Sequence, residues 1–157
     1  MKFSEQTWKQ RERTLGDPAE NAFALWAEAE GIPTIRFGLN RPPMQVSRFP
    51  LEIRHMPDYL GYEAFWEVQG CGADQTIKMK HDKLNALLWW DSHVMRVNCW
   101  FWNQPYDTHK VVSMDQLFDM CSDEEALALG DIQHTYRTDG RFDQTKPFAA
   151  LRWETIP

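Results

Sequence analysis

A chain of 157 residues suits one domain with one sizeable core, and eight Trp and nine Phe supply the large apolar volumes that core needs. Seventeen basic and 23 acidic residues give a net charge of −6, which argues against a uniformly basic nucleic-acid binder. The charge is uneven, because residues 111–131 hold Asp115, Asp119, Asp123, Glu124, Glu125 and Asp131 without a Lys or Arg, so the remainder sums to zero. Within that remainder Lys9, Arg11 and Arg13 cluster, as do Lys78, Lys80, His81 and Lys83. Such patches on a neutral body suit phosphates, although a solvated helix face explains the second one equally simply. Cys71, Cys99 and Cys121 are odd in number and lack metal-ligand spacing, which favours a reducing compartment over a disulfide framework. The polar N-terminus has no apolar signal segment and no run approaches membrane-spanning length, so a cytoplasmic protein without a membrane contact is expected.

Residues 1–16 read as a basic arm. Asp17-Pro18-Ala19-Glu20 is a helix start, with an N-cap, a proline at the first helical position and a Glu three residues after the cap. The helix runs to Glu30 and stops at Gly31, with Phe23, Trp26 and Ala27 on one face. Ile32 to Phe37 reads as a strand. Gly38 to Pro50, with Pro42, Pro43 and Pro50, reads as an irregular loop. Leu51 to Leu60 and Ala64 to Gln69 read as paired strands, and Gly70 to Asp74 as a turn. Thr76 to Trp90 reads as a helix with Ile77, Leu84, Leu87 and Leu88 on its core side. Val94 to Trp102 is an apolar strand, and Lys110 to Val112 suits another. Ser113 caps a short helix, and Ser122-Asp123-Glu124-Glu125 is a second capping box. The domain reading is therefore an arm at 1–16, a central domain at 17–130 and a C-terminal extension at 131–157.

Met56-Pro57-Asp58-Tyr59-Leu60 and Phe65-Trp66-Glu67-Val68-Gln69-Gly70 carry the chemistry. Side chains alternate along a strand, so Glu67 and Gln69 project to one side, and Asp58 on the neighbouring strand reaches that side too. Two carboxylates and an amide at one point suit a hard divalent cation, which activates water and polarises a phosphodiester. A central strand covered on both faces rarely carries a carboxylate without a partner.

Pro57, Asp58, Glu67 and Gln69 together resemble the motif of the PD-(D/E)XK nuclease superfamily, and the chain is similar to its phage-type Holliday junction resolvases over residues 17–112. The resemblance implies an α/β fold with a restriction-endonuclease-like core, a mixed sheet flanked by helices in the order helix, strand, strand, strand, helix, strand. It implies Mg2+ or Mn2+ on Asp58 and Glu67, with Glu20 as a further ligand, although the capping role of Glu20 explains that residue without metal. The family lysine is replaced by Gln69, which can orient water but carries no charge. Members with the lysine displaced to the following helix point to Lys80 or Lys78, and helical phase sets Lys80 nearer the Leu84 and Leu88 face. The implied activity is hydrolysis of DNA phosphodiesters, including branched or recombination intermediates, by a homodimer, in host cytoplasm if phage-encoded. The alternative is a nuclease-fold module without catalysis that binds nucleic acid or a protein partner, as Gln69 and the acidic segment 111–131 suggest. Gln75 is a weaker candidate for a phosphate contact. The five His are scattered without a nucleophile triad. Trp8, Trp89, Trp90, Trp100 and Trp102 suit either base stacking or core packing.

Overall fold

The computed structural model describes residues 17–39, 48–129, 133–136 and 142–157. The arm 1–16 with Trp8, the loop prolines Pro42 and Pro43, the side chain of Asp17, and Asp131 lie outside the described residues.

Helix α1 spans Asp17–Ala29. Ala19, Phe23 and Ala27 recur at four-residue spacing and are buried, so one stripe of the helix faces the sheet. Gly31 takes φ 67° and ends the helix, while the N–H groups of Gly31 and Ile32 donate to the Glu28 and Ala27 carbonyls. Strand β1 follows at Thr34–Arg36.

The segment expected as a long strand over 51–60 divides in two. Leu51–Arg54 is a short helix, α2, and only Tyr59–Gly61 is extended, as β2. Pro50 is the N-cap of α2, its carbonyl accepting from the Ile53 and Arg54 N–H groups, and the Glu52 carbonyl accepts from Trp90 Nε1 at 2.9 Å. Strand β3 is Phe65–Cys71.

The helix expected over 76–90 also divides. Thr76–Lys80 is strand β4, and helix α3 is His81–His93. Ile77 and Met79 are buried while Thr76, Lys78 and Lys80 are half-buried, which is the period of a strand. Its partner is β9, Phe148–Arg152, in antiparallel register from Thr76↔Arg152 to Lys80↔Phe148.

Strands β5 (Val97–Asn103) and β6 (Thr108–Ser113) complete a five-stranded mixed sheet of order β1-β2-β3-β5-β6. Its pairs are antiparallel except β3 with β5, which are parallel. Helix α3 lies in the connection between these two, as a parallel pair requires a crossover. Helix α4 is Met114–Cys121, with Ser113 and Gln116 forming the expected capping box. Helix α5 is Glu124–Leu129, and its cap is Asp123, not Ser122. Asp123 Oδ1 accepts from the Glu125 and Ala126 N–H groups, whereas the Ser122 hydroxyl donates to the Phe118 carbonyl. Strands β7 (Gln133–Tyr136) and β8 (Phe142–Lys146) form a separate antiparallel pair.

Alternation along β3 and β5 splits the core into two layers. Trp66, Val68 and Trp100 pack on α1 through Phe23 and Ala27. Phe65, Cys71, Cys99 and Phe101 face the other layer, with Leu84 and Leu87 of α3, Leu117 of α4, and Leu151 and Ile156 from the C-terminus. The segment read as an extension thus supplies core residues. Trp90 and Trp100 are buried, while Trp89 is exposed and stacks on His93. Among the described residues no helix is long and apolar enough to cross a membrane.

Candidate functional site

Strand β3 is central, and all its residues but Gln69 are buried. Glu67 is one of them, with 0% exposure. Its neighbour β2 pairs with β3 only at Tyr59↔Trp66 and Leu60↔Phe65. Beyond that point the Val68 N–H has no strand partner on the β2 side, and Asp58 Oδ2 accepts it at 2.9 Å. The Asp58 carbonyl in turn accepts from the Phe37 and Gly38 N–H groups at 2.9 and 3.1 Å. The shortness of β2 therefore places Asp58 near enough to Glu67 for its charge to act on that carboxyl.

Two carboxyl groups in one buried place do not both ionise readily. Burial pushes the Glu67 carboxyl up first, Asp58 adds to it, and Lys83 pulls it partly back, leaving it at about 8. Lys83 Nζ is in ion-pair contact with Glu67 Oε1, and the lysine side chain remains 27% exposed. Its stem thus reaches inward from the surface. Burial alone lowers the Lys83 ammonium, but Glu67 and Asp58 outweigh that and hold it above the usual lysine range. His55, at the end of α2, is lowered to about 4 by burial and then by Lys83, Lys80 and Arg54. It is a neutral imidazole beside these cations at pH 7.

The second side of Asp58 is occupied by Arg36. Its Nη2 is 3.7 Å from Asp58 Oδ1, and its Nη1 is 2.8 Å from Glu20 Oε1. Glu20, proposed from the resemblance as a metal ligand, meets Arg36 here. Gln69 shares the Glu67 face, but its Nε2 donates to the Lys78 carbonyl at 2.7 Å and ties β3 to β4. Lys78 Nζ is 3.3 Å from Asp74. Lys80 ends β4 and precedes α3, so the helical phase assigned to it does not apply. Gln75 takes φ 54°, and its side-chain amide exchanges hydrogen bonds with buried Asn103. That pairing ties the β3–β4 turn to the end of β5.

Lys83, which the sequence places only within the Lys78–Lys83 cluster, is the ammonium that reaches Glu67. It stands four positions before Leu87, which is fully buried. That spacing alone puts Lys83 on the inner face of α3.

Of the residues present, Asp58 and Glu67 are the two that could hold a hard cation. Glu67 Oε2 is buried without a hydrogen-bond partner, and Asp58 presents a second carboxylate beside it. Among the described residues no group of three or more His, Cys, Asp or Glu gathers for a metal. A cation here would have two protein ligands and take its remaining oxygens from water and phosphate, the pattern that suits Mg2+ or Mn2+. No protein-family model, curated protein or solved structure matches the chain.

Proposed function

We propose that the chain is a divalent-metal-dependent endonuclease that hydrolyses DNA phosphodiesters, with Asp58 and Glu67 as the ligands of Mg2+ or Mn2+. The observation that supports this best is the pair of carboxyl groups, buried Glu67 on β3 and part-buried Asp58 just before β2, with one ammonium, Lys83, against Glu67. The mixed strand order, with one parallel pair bridged by α3, is compatible with the restriction-endonuclease-like core that the motif suggests. A bound cation would supply Lewis-acid activation of water and phosphate. The protein's own groups do the rest. Asp58 is held through Oδ2 by the Val68 N–H, so Oδ1, which faces Arg36, is held at a fixed point. Glu67 would hold a cation as the carboxylate, because the cation's charge would outweigh the Asp58 repulsion that raises it. Lys83 supplies the positive charge that Gln69 lacks, stabilising negative charge on the phosphate oxygens. Resemblance to junction resolvases extends the reading to branched substrates and a homodimer.

The test is incubation of the purified protein with labelled linear, flapped and four-way DNA in Mg2+, Mn2+ or EDTA. Cleavage should require the metal and disappear in Asp58→Asn and Glu67→Gln, with folding retained. Activity in EDTA, or in both variants, rejects the assignment. A second reading is a non-catalytic nucleic-acid or protein-binding module, favoured by the protein cations that already face both carboxylates. Metal-independent DNA binding without cleavage would select it.

A further inference from the structure

Arg36 stands where a cation would approach Asp58. The guanidinium lies 5.2 Å over the Tyr59 ring, spans Glu20 and Asp58, and is itself only 28% exposed. Asp58 Oδ2 is already taken by the Val68 N–H, so Oδ1, the oxygen facing Arg36, is the one left for a metal. The guanidinium thus repels a free divalent cation that approaches Asp58 Oδ1.

We propose that Arg36 is an internal counter-cation that competes with the metal for Asp58, and that a phosphodiester releases the site by drawing the guanidinium to itself. The inference rests on the metal-site reading above. A guanidinium suits this exchange because its forked donors match a carboxylate and a phosphate equally well. Glu20 is then the anchor that retains Arg36 beside the site and not a metal ligand. Metal binding and substrate binding become coupled, each favouring the other. Arg36 is a positioning residue in this scheme, since it sets which cation Asp58 meets.

Titration of MnCl2 into the full chain, followed by calorimetry, tests this. Arg36→Gln should bind Mn2+ roughly 30-fold more tightly than wild type, the effect of one unit charge on a dication at about 4 Å under water-like screening. Arg36→Lys keeps the charge and should bind Mn2+ as wild type does. Dithymidine phosphorothioate, a cleavage-resistant diester, should tighten Mn2+ binding in wild type and leave Arg36→Gln unchanged. Thermal melting accompanies each titration. Should Arg36→Gln melt below the assay temperature, Arg36→Met, which keeps an apolar stem over Tyr59, replaces it with the same expectation. Unchanged or weaker Mn2+ binding in the charge-removed variant, while Asp58→Asn abolishes binding in wild type, overturns the inference and leaves the metal site standing. Absence of Mn2+ binding in both wild type and the charge-removed variant overturns the metal site and the inference together.

Discussion

Glu67 holds a proton in the folded chain that it would release in the unfolded one. Its folded value is about 8 against an ordinary 4.5, first through burial and then through Asp58. Between those values the native state binds more protons, so stability is present below about 4.5 and lost as pH rises through 8. His55 works in the opposite sense. Burial and the neighbouring Lys83, Lys80 and Arg54 lower it from 6.5 to about 4, so stability is lost as pH falls through that range. The two slopes oppose each other below 6.5, and from 6.5 to 8 the Glu67 slope stands without that opposition. Lys83, raised above its ordinary 10.5, stays protonated in both states there. In EDTA the free energy of unfolding should therefore decline from pH 6.5 to 8, and Glu67→Gln should flatten the decline. An identical slope in that variant would assign the proton to another group. At the same scale, Lys83→Met keeps the stem and removes the ammonium. Cleavage should drop on the order of 10²–10³-fold, the loss typical of one charge-stabilising group. Lys80→Ala and Lys78→Ala should lose far less, because Lys83 is the lysine in contact with Glu67. Equal losses among the three would make the lysines a diffuse phosphate-binding face.

Elements position these residues through packing that has little to do with the carboxylates. Helix α1 holds Glu20 against Arg36 because Phe23 inserts among aromatic rings. Its ring centroid lies 4.8 Å from Tyr59, 5.7 Å from Trp66 and 5.6 Å from Trp100. Phe23→Ala should cost about 3–5 kcal/mol, read as a lower denaturant midpoint at unchanged slope. A cost below about 1 kcal/mol is incompatible with this packing. The turn after β1 acts on Asp58 more directly. A methyl group added at Gly38 would meet the Pro57 carbonyl oxygen at 2.7 Å and Asp58 Cα at 3.3 Å. Backbone has to shift to admit it, so Gly38→Ala should weaken Mn2+ binding and cleavage more than its change in melting temperature suggests. Wild-type Mn2+ affinity in Gly38→Ala would mean that the turn yields without moving Asp58.

Over the whole molecule the two core layers meet across one sheet, and the C-terminus closes the layer that contains Glu67. Phe148, Ala149, Ala150 and Leu151 are all buried in β9, and Ile156 follows them into the core. Lys110 Nζ donates to the Trp153 and Ile156 carbonyls at 2.8 and 2.6 Å. A chain ending at Pro147 leaves β4 without its partner and opens the core beside α4 and α5. Such a truncation should lose cooperative thermal unfolding. Retention of a wild-type melting transition would establish residues 148–157 as a dispensable extension.

Local signals carried much of this protein. Capping chemistry and four-residue apolar spacing marked α1 and α4, and alternation marked β3, β5 and the shared face of Glu67 and Gln69. Those features depend on neighbours within one turn or one strand, which the order of residues contains. The proline-led carboxylate before β2 and the carboxylate on β3 were legible for the same reason. Tertiary structure decided the rest. Thr76–Lys80 is a strand because β9, some seventy residues later, supplies its hydrogen bonds. Arg36 joins Glu20 to Asp58 across three separate elements, and Lys83 meets Glu67 because α3 starts only at His81. Pairing across the chain and the burial of a charge are properties of the packed molecule, and no local pattern specifies which distant group will meet which.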